Sequence, residues 1–175
     1  MAVDPFRPGQ TGLIVAVPEA EAAVGEFRRS YDHAAAYGVP AHLTVLFPFL
    51  PVDRIDRDVH TELANLLGAL EPFDVRFERT DRFPDVLFLA PEPEEPLREL
   101  TSSVAARWSE YQPYGGQFAD VVPHLTVAQS DDQRVLDDIE CSVAARLPIA
   151  ATVTGVRLIS FDGNRWNSWH EFRLG

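Results

Sequence analysis

Two stretches of this chain are near copies: Pro40-Ala41-His42-Leu43-Thr44-Val45 and Val122-Pro123-His124-Leu125-Thr126-Val127. A second match lies upstream of each. Val17-Pro18-Glu19-Ala20-Glu21 and Ala90-Pro91-Glu92-Pro93-Glu94 both close an apolar run ahead of a helical pattern. Pro18 to His42 is 24 residues and Pro91 to His124 is 33, so the second copy carries the longer loop. Similar words in the same order read as an internal duplication. That constrains the fold to α+β: a bilobal arrangement of duplicated β-α-β-α-β lobes with pseudo-two-fold symmetry around a central cleft, where the two histidine strands meet.

Periodicity supplies the elements. Leu13 to Val17 reads as a buried strand ended by Pro18, and a helix follows from Glu19 with Ala20, Val24, Phe27 and Tyr31 on one face. His42 to Phe47 is strand-like, and Arg54 to Leu70 is helical, with Ile55, Val59, Leu63, Leu66 and Leu70 in line. Phe73 to Arg82 and Val86 to Ala90 read as strands joined through Phe83-Pro84-Asp85. A helix from Pro96 carries Leu97, Leu100, Val104, Trp108 and Tyr111. His124 to Ala128 is a strand, a short helix bears Val135, Leu136 and Ile139, and two β-rich stretches follow, Ile149 to Phe161 and Arg165 to Leu174. The length of 175 residues suits one unit over residues 1–175, with room for a core that needs no disulfide or metal staple.

On a strand, alternate side chains share a face. His42 and Thr44 therefore point one way while Leu43 and Val45 enter the core, and the second tetrad repeats the division. Lobes that face each other would gather two imidazoles and two hydroxyls. Such a group suits in-line attack on a phosphodiester: a neutral imidazole takes a proton from the attacking oxygen, and a protonated one gives a proton to the leaving oxygen. Thr44 and Thr126 would donate to the non-bridging oxygens and hold phosphorus between the rings. Neither histidine sits in an HxH, HExxH or Cys/His pattern, so no metal or other cofactor is expected.

These paired His-x-Thr-x motifs, with the duplicated order and the overall length, resemble the 2H phosphoesterase superfamily. That superfamily includes the bacterial RNA 2′,3′-cyclic phosphodiesterases historically called 2′-5′ RNA ligases. The resemblance covers nearly the whole chain. It implies a bilobal α+β fold around a cleft, with His42 and His124 as the acid–base pair. The implied reaction is hydrolysis or transesterification of cyclic phosphates or 2′-5′ linkages, leaving a 2′-phosphate on hydrolysis. The alternative is a non-catalytic module that binds a nucleotide or RNA end in the same cleft.

Charge narrows the substrate. There are 27 acidic residues against 15 basic ones, a net charge of −12, and every basic residue is arginine. A broad grip on duplex DNA or on an anionic membrane needs clustered cations and is not expected. A small nucleotide with a cyclic phosphate, or an RNA terminus, needs only local cations. No protein partner is implied, and the repeat itself supplies both halves of the cleft, which favours a monomer. Residues 1–9 show no signal pattern and Leu13–Val17 is too short to span a bilayer, so a cytoplasmic protein is expected.

Candidates beyond the tetrads are fewer. Phe49, and with less claim Phe47, would stack on a base at the cleft rim. Tyr114 sits with Gly115-Gly116 in the extra loop ahead of the second motif, where a substrate-contacting loop would be useful. Tyr37, Trp166 and Trp169 are further aromatic candidates. Arg82, Arg134 and Arg165 lie near strand ends or the second motif, the other arginines on helix faces or turns. His33 and His60 read as exposed, His170 as structural, and Cys141 as a small buried residue.

Overall fold

The structure is a computed structural model and describes residues 5–175; residues 1–4, the start of the segment read above for a leader, lie outside the described residues. Among the described residues, eight strands form two four-stranded antiparallel sheets. The first has the order β2-β1-β7-β8, from β1 (Thr11–Ala16), β2 (His42–Leu46), β7 (Gly155–Phe161) and β8 (Trp166–Arg173). The second has the order β5-β4-β3-β6, from β3 (Phe73–Phe83), β4 (Val86–Glu92), β5 (Leu125–Gln129) and β6 (Ile149–Val153). Between them run α1 (Glu21–Tyr31), the single turn α2 (His33–Ala36), α3 (Arg57–Gly68), α4 (Glu95–Arg107) and α5 (Gln133–Ala144).

The duplication is visible in the sheet orders: β1 and β2 occupy the places of β4 and β5. The fifth strand expected of the first copy joins the other sheet, and that of the second copy is split between the two. β3 pairs with β4 because only Pro84 and Asp85 separate them, and so short a connection makes a hairpin in one sheet. The run expected as one stretch from Ile149 to Phe161 breaks at Thr154. Its first part, β6, pairs with β3, and its second part, β7, pairs with β1 in the other sheet. The first sheet therefore borrows two strands from the later chain, β7 and β8, whereas the second borrows only β3, since β6 comes from its own copy.

Local chemistry sets the helix boundaries. Asp32, Asp56 and Asp132 each stand just before a helix and accept from a backbone N–H of its first turn. Buried stripes then orient the helices: Leu97, Leu100 and Val104 on α4, and Leu136, Ile139 and Val143 on α5. Cys141 lies off that α5 stripe and is exposed, contrary to the buried position expected of it. Tyr31 also turns outward, at 39% exposure.

One apolar core joins both sheets, with Leu13 and Val15 of β1, Leu43 and Val45 of β2, Leu87 and Leu89 of β4, and Leu125 and Val127 of β5. Burial of a leucine of this kind contributes roughly 1.5–3 kcal/mol. The helices exchange sides: α1 packs on β5, and α4 packs on β2, where the Thr101 hydroxyl donates to the Val45 carbonyl at 2.7 Å. β2 and β5 consequently lie beside one another.

Candidate active site

Core demand aims the tetrads. Leu43 and Val45 are 1% and 2% exposed, and Leu125 and Val127 are fully buried, so the alternate residues must face the other way. His42, Thr44, His124 and Thr126 are all half-buried there. His42 is the first residue of β2, and His124 immediately precedes β5.

Both imidazoles are held by the same bond. His42 Nδ1 lies 2.8 Å from the Pro40 carbonyl oxygen, and His124 Nδ1 lies 2.8 Å from that of Val122. A carbonyl only accepts, so each Nδ1 carries the proton and each neutral ring presents Nε2 with a free lone pair. The rings are also near enough that charge on His124 acts on His42.

Their walls differ. Burial pushes His42 down to about 4, helped by the Arg28 guanidinium and opposed by the Pro40 bond and by Asp32. His124 is also lowered, first by burial, with the Val122 bond and Asp32 opposing. Three rings surround His124: Phe83 edge-on at 5.2 Å, Phe88 at 5.6 Å and Tyr114 stacked at 6.5 Å. Behind His42 lies a sealed ion pair, Arg28 and Asp32, which are 2% and 6% exposed. Arg28 Nε and Nη2 donate to Asp32 Oδ2 at 3.0 and 2.8 Å.

Tyr114 joins the two motifs. It occupies a 3-10 turn, Pro113–Gly116, with a left-handed backbone (φ 51°). Its N–H donates to the Phe47 carbonyl at 2.7 Å, and its phenol meets the Thr44 side chain. Burial raises the phenol pKa, the Thr44 contact opposing, so the hydroxyl stays protonated. A cavity of about 750 Å³ opens beside it along α4. Its wall includes Leu43 and Thr44 of the first motif and His124 of the second, together with Arg98, Tyr114 and Phe118.

Several sequence candidates land elsewhere. Phe49 is 2% exposed and packs edge-on against Trp108 at 5.3 Å and beside Tyr111, so it is a core residue with no face for a base. Phe47, Tyr37 and Trp166 join Phe6 and Phe161 in a separate aromatic cluster on the first sheet. Trp169 is 48% exposed on β8. Arg82 is engaged by Asp137 and Glu140 of α5. His33 is exposed, while the rings of His60 and His170 meet at 4.3 Å beside Phe172. Among the described residues, no three His, Cys, Asp or Glu converge to hold a metal, and no helix is long and apolar enough to cross a membrane.

Residues not singled out from the sequence stand closer: Arg28 and Arg98 on helix faces, Asp32 at the junction of α1 and α2, and Phe83 and Phe88 on the hairpin. The four-residue spacings Arg28–Asp32 and Glu94–Arg98 were the available signal.

The family model of the 2′-5′ RNA ligase superfamily matches residues 16–165. In fold, the chain is similar to E. coli LigT in apo form, with TM-score 0.59 and 16% identity over 97% of this chain and 99% of that one. The match to E. coli LigT complexed with NADP+ has TM-score 0.57 and 17% identity, over 97% and 99%. TT0787 of Thermus thermophilus matches at TM-score 0.58 and 22% identity, over 94% and 97%. No curated protein matches the sequence.

Proposed function

The chain belongs to the 2′-5′ RNA ligase superfamily, the 2H phosphoesterases, and on that premise we propose that it is a cyclic phosphodiesterase acting without a metal. Its substrates are 2′,3′-cyclic phosphates of small nucleotides or RNA ends, with 2′-5′ linkages as a second class and ligation as the reverse direction. The observation that carries this reading is the matched pair of Nδ1 bonds, which leaves two Nε2 atoms on adjacent strands for proton transfer.

In this reaction His42 is neutral at neutral pH and takes a proton from water as its oxygen bonds to phosphorus. The P–O3′ bond breaks, and protonated His124 donates to the departing 3′ oxygen, leaving a 2′-phosphate. An anionic phosphate beside His124 raises its proton affinity and so supports the acid role. Thr44 and Thr126 bind the non-bridging oxygens. Tyr114, which touches Thr44 and stacks on His124, adds a third hydroxyl on the substrate side. The cavity along α4 receives the nucleoside.

E. coli LigT is known in complexes with NADP+, 3′-AMP and ATP, which supports a small nucleotide as the ligand class here. The net charge of −12 argues against duplex DNA and anionic membranes as partners, and we infer a monomer because the internal repeat supplies both halves of the cleft. A product-resolved assay of the purified protein tests it, using 2′,3′-cyclic mononucleotides, ADP-ribose cyclic phosphate and 2′-5′ oligomers, with and without chelator. The expected result is 2′-phosphate product that persists in chelator. Tight binding without product across all three groups would replace the enzyme with a binding module.

A further inference from the structure

We propose that Arg28, acting with Asp32 and Glu21, is a positioning group for His42: the network clamps the backbone on which the imidazole hangs. This inference rests on the reading of His42 as a proton-transfer group.

His42 is aimed by one bond to the Pro40 carbonyl, so the ring is only as well placed as that peptide. Proline has no N–H with which to anchor itself. Its neighbours are held instead. On one side, Arg28 Nη2 donates to the Val39 carbonyl at 3.2 Å. On the other, the Ala41 N–H donates to Glu21 Oε1 at 2.6 Å. Arg28 Nη1 lies 3.9 Å from that same Glu21 oxygen, and Asp32 fixes the guanidinium through Nε and Nη2. All three side chains come from α1 or its C-terminal cap, so the helix grips both flanks of Pro40.

The arrangement is costly in stability terms. A buried ion pair contributes little or nothing over apolar packing of the same volume. Glycine at position 25, within the helix, is a poorer helix former than alanine. A Cβ there would lie 2.9 Å from Glu21 Oε2, so an alanine would push against the carboxylate that holds Ala41. These features have a common explanation if the entrance to β2 must be rigid.

The second lobe reaches the same contact by another route. Arg98 Nη1 donates at 3.1 Å to the carbonyl of Val121, three residues before His124, just as Val39 stands three residues before His42. Glu94 and Asp120 hold Arg98 as Asp32 and Glu21 hold Arg28. The two arginines are not equivalent in the repeat, lying ten residues after Pro18 and seven after Pro91. Arg98 lines the cavity and can meet a ligand directly. Arg28, at 2% exposure, cannot; its influence on the reaction passes through His42. The charged groups acting on that imidazole are Arg28, Asp32 and His124.

The test uses the full chain with Arg28→Met/Asp32→Asn, which removes both charges and keeps volume, and with Glu21→Ala, which removes the acceptor for Ala41 at a side chain that is 40% exposed. ¹⁵N imidazole NMR reads tautomer and titration, beside thermal melting and steady-state kinetics. In the folded double variant, His42 loses its single Nδ1–H tautomer, because that tautomer is set by the bond to the Pro40 carbonyl. His124 keeps its tautomer; kcat falls about tenfold while KM holds. Glu21→Ala shows the same signature at lower amplitude, and it decides the matter if the double variant fails to fold. An unchanged His42 tautomer in a folded variant would overturn the clamp, whatever the activity. A wild-type protein that turns over no cyclic phosphate would sink the functional reading and leave the imidazole measurement standing.

Discussion

His42 and His124 share a tetrad and a 2.8 Å bond from Nδ1 to the carbonyl two residues back, yet opposite materials surround them. A sealed guanidinium and carboxylate back the first; Phe83, Phe88 and Tyr114 box the second. Both settings disfavour the imidazolium, one through burial and a cation, the other through burial among rings. Duplication can therefore preserve a motif while the residues around it diverge. Divergence of this kind lets two chemically identical groups take different roles, since acid and base need different proton affinities.

The comparison can be broken most forcefully at the rings themselves. His42→Ala and His124→Ala should each lower kcat by about 10²–10⁴-fold, with the double variant little worse than either single, measured on a cyclic mononucleotide. Full turnover in either single variant would remove that histidine from the mechanism. At the next level, Leu43→Ala and Leu125→Ala test whether the two strands are equal as structure. Both side chains are buried in the shared core, and each truncation should cost roughly 2–5 kcal/mol by denaturant unfolding. A large inequality between them would show that one lobe carries the stability.

Acid titration of stability separates the two histidines by their surroundings. Folded His42 binds its proton less tightly than the unfolded chain, whose imidazole titrates near 6.5. Its contribution is therefore complete above about pH 6.5 and is lost as pH falls toward 4, by at most about 3 kcal/mol. His42→Ala should flatten that slope in unfolding free energy, and an unaltered slope would contradict the sealed setting. The smallest expected effect belongs to Tyr114→Phe, which keeps the ring over His124 and deletes the phenol beside Thr44. A loss of about 2–10-fold in kcat/KM is expected, and wild-type kinetics would confine Tyr114 to packing.

Much of this was legible before any coordinates. Alternation in His42–Val45 and His124–Val127 told core from cleft because a strand has only two faces. The stripes on α4 and α5 followed from helical spacing. The strand exchange was not legible: Pro84-Asp85 signals a hairpin, but no local pattern says which sheet receives it, and Thr154 carries no mark of a chain crossing between sheets. Phe47 and Phe49 lie along an irregular turn, where strand alternation no longer assigns faces. Arg28 was hidden for another reason. Composition treats arginine as a surface residue, and only the four-residue spacing to Asp32 hints that it is sealed.

Strand exchange has a consequence for the order in which the molecule is put together. Every strand of the second sheet comes from residues 73–153, whereas the first sheet needs both β1 and β7, and pairs Thr11 with Ser160. As the chain leaves the ribosome, β1 and β2 can zip together early, but β1 then shows one bare edge until β7 arrives, a row of unpaired N–H and C=O groups open to mispairing. The closure that covers it spans roughly 150 residues, a slow search by topological standards. The half that holds His124 can thus mature within its own segment, while the half that holds His42 is the last to be sealed.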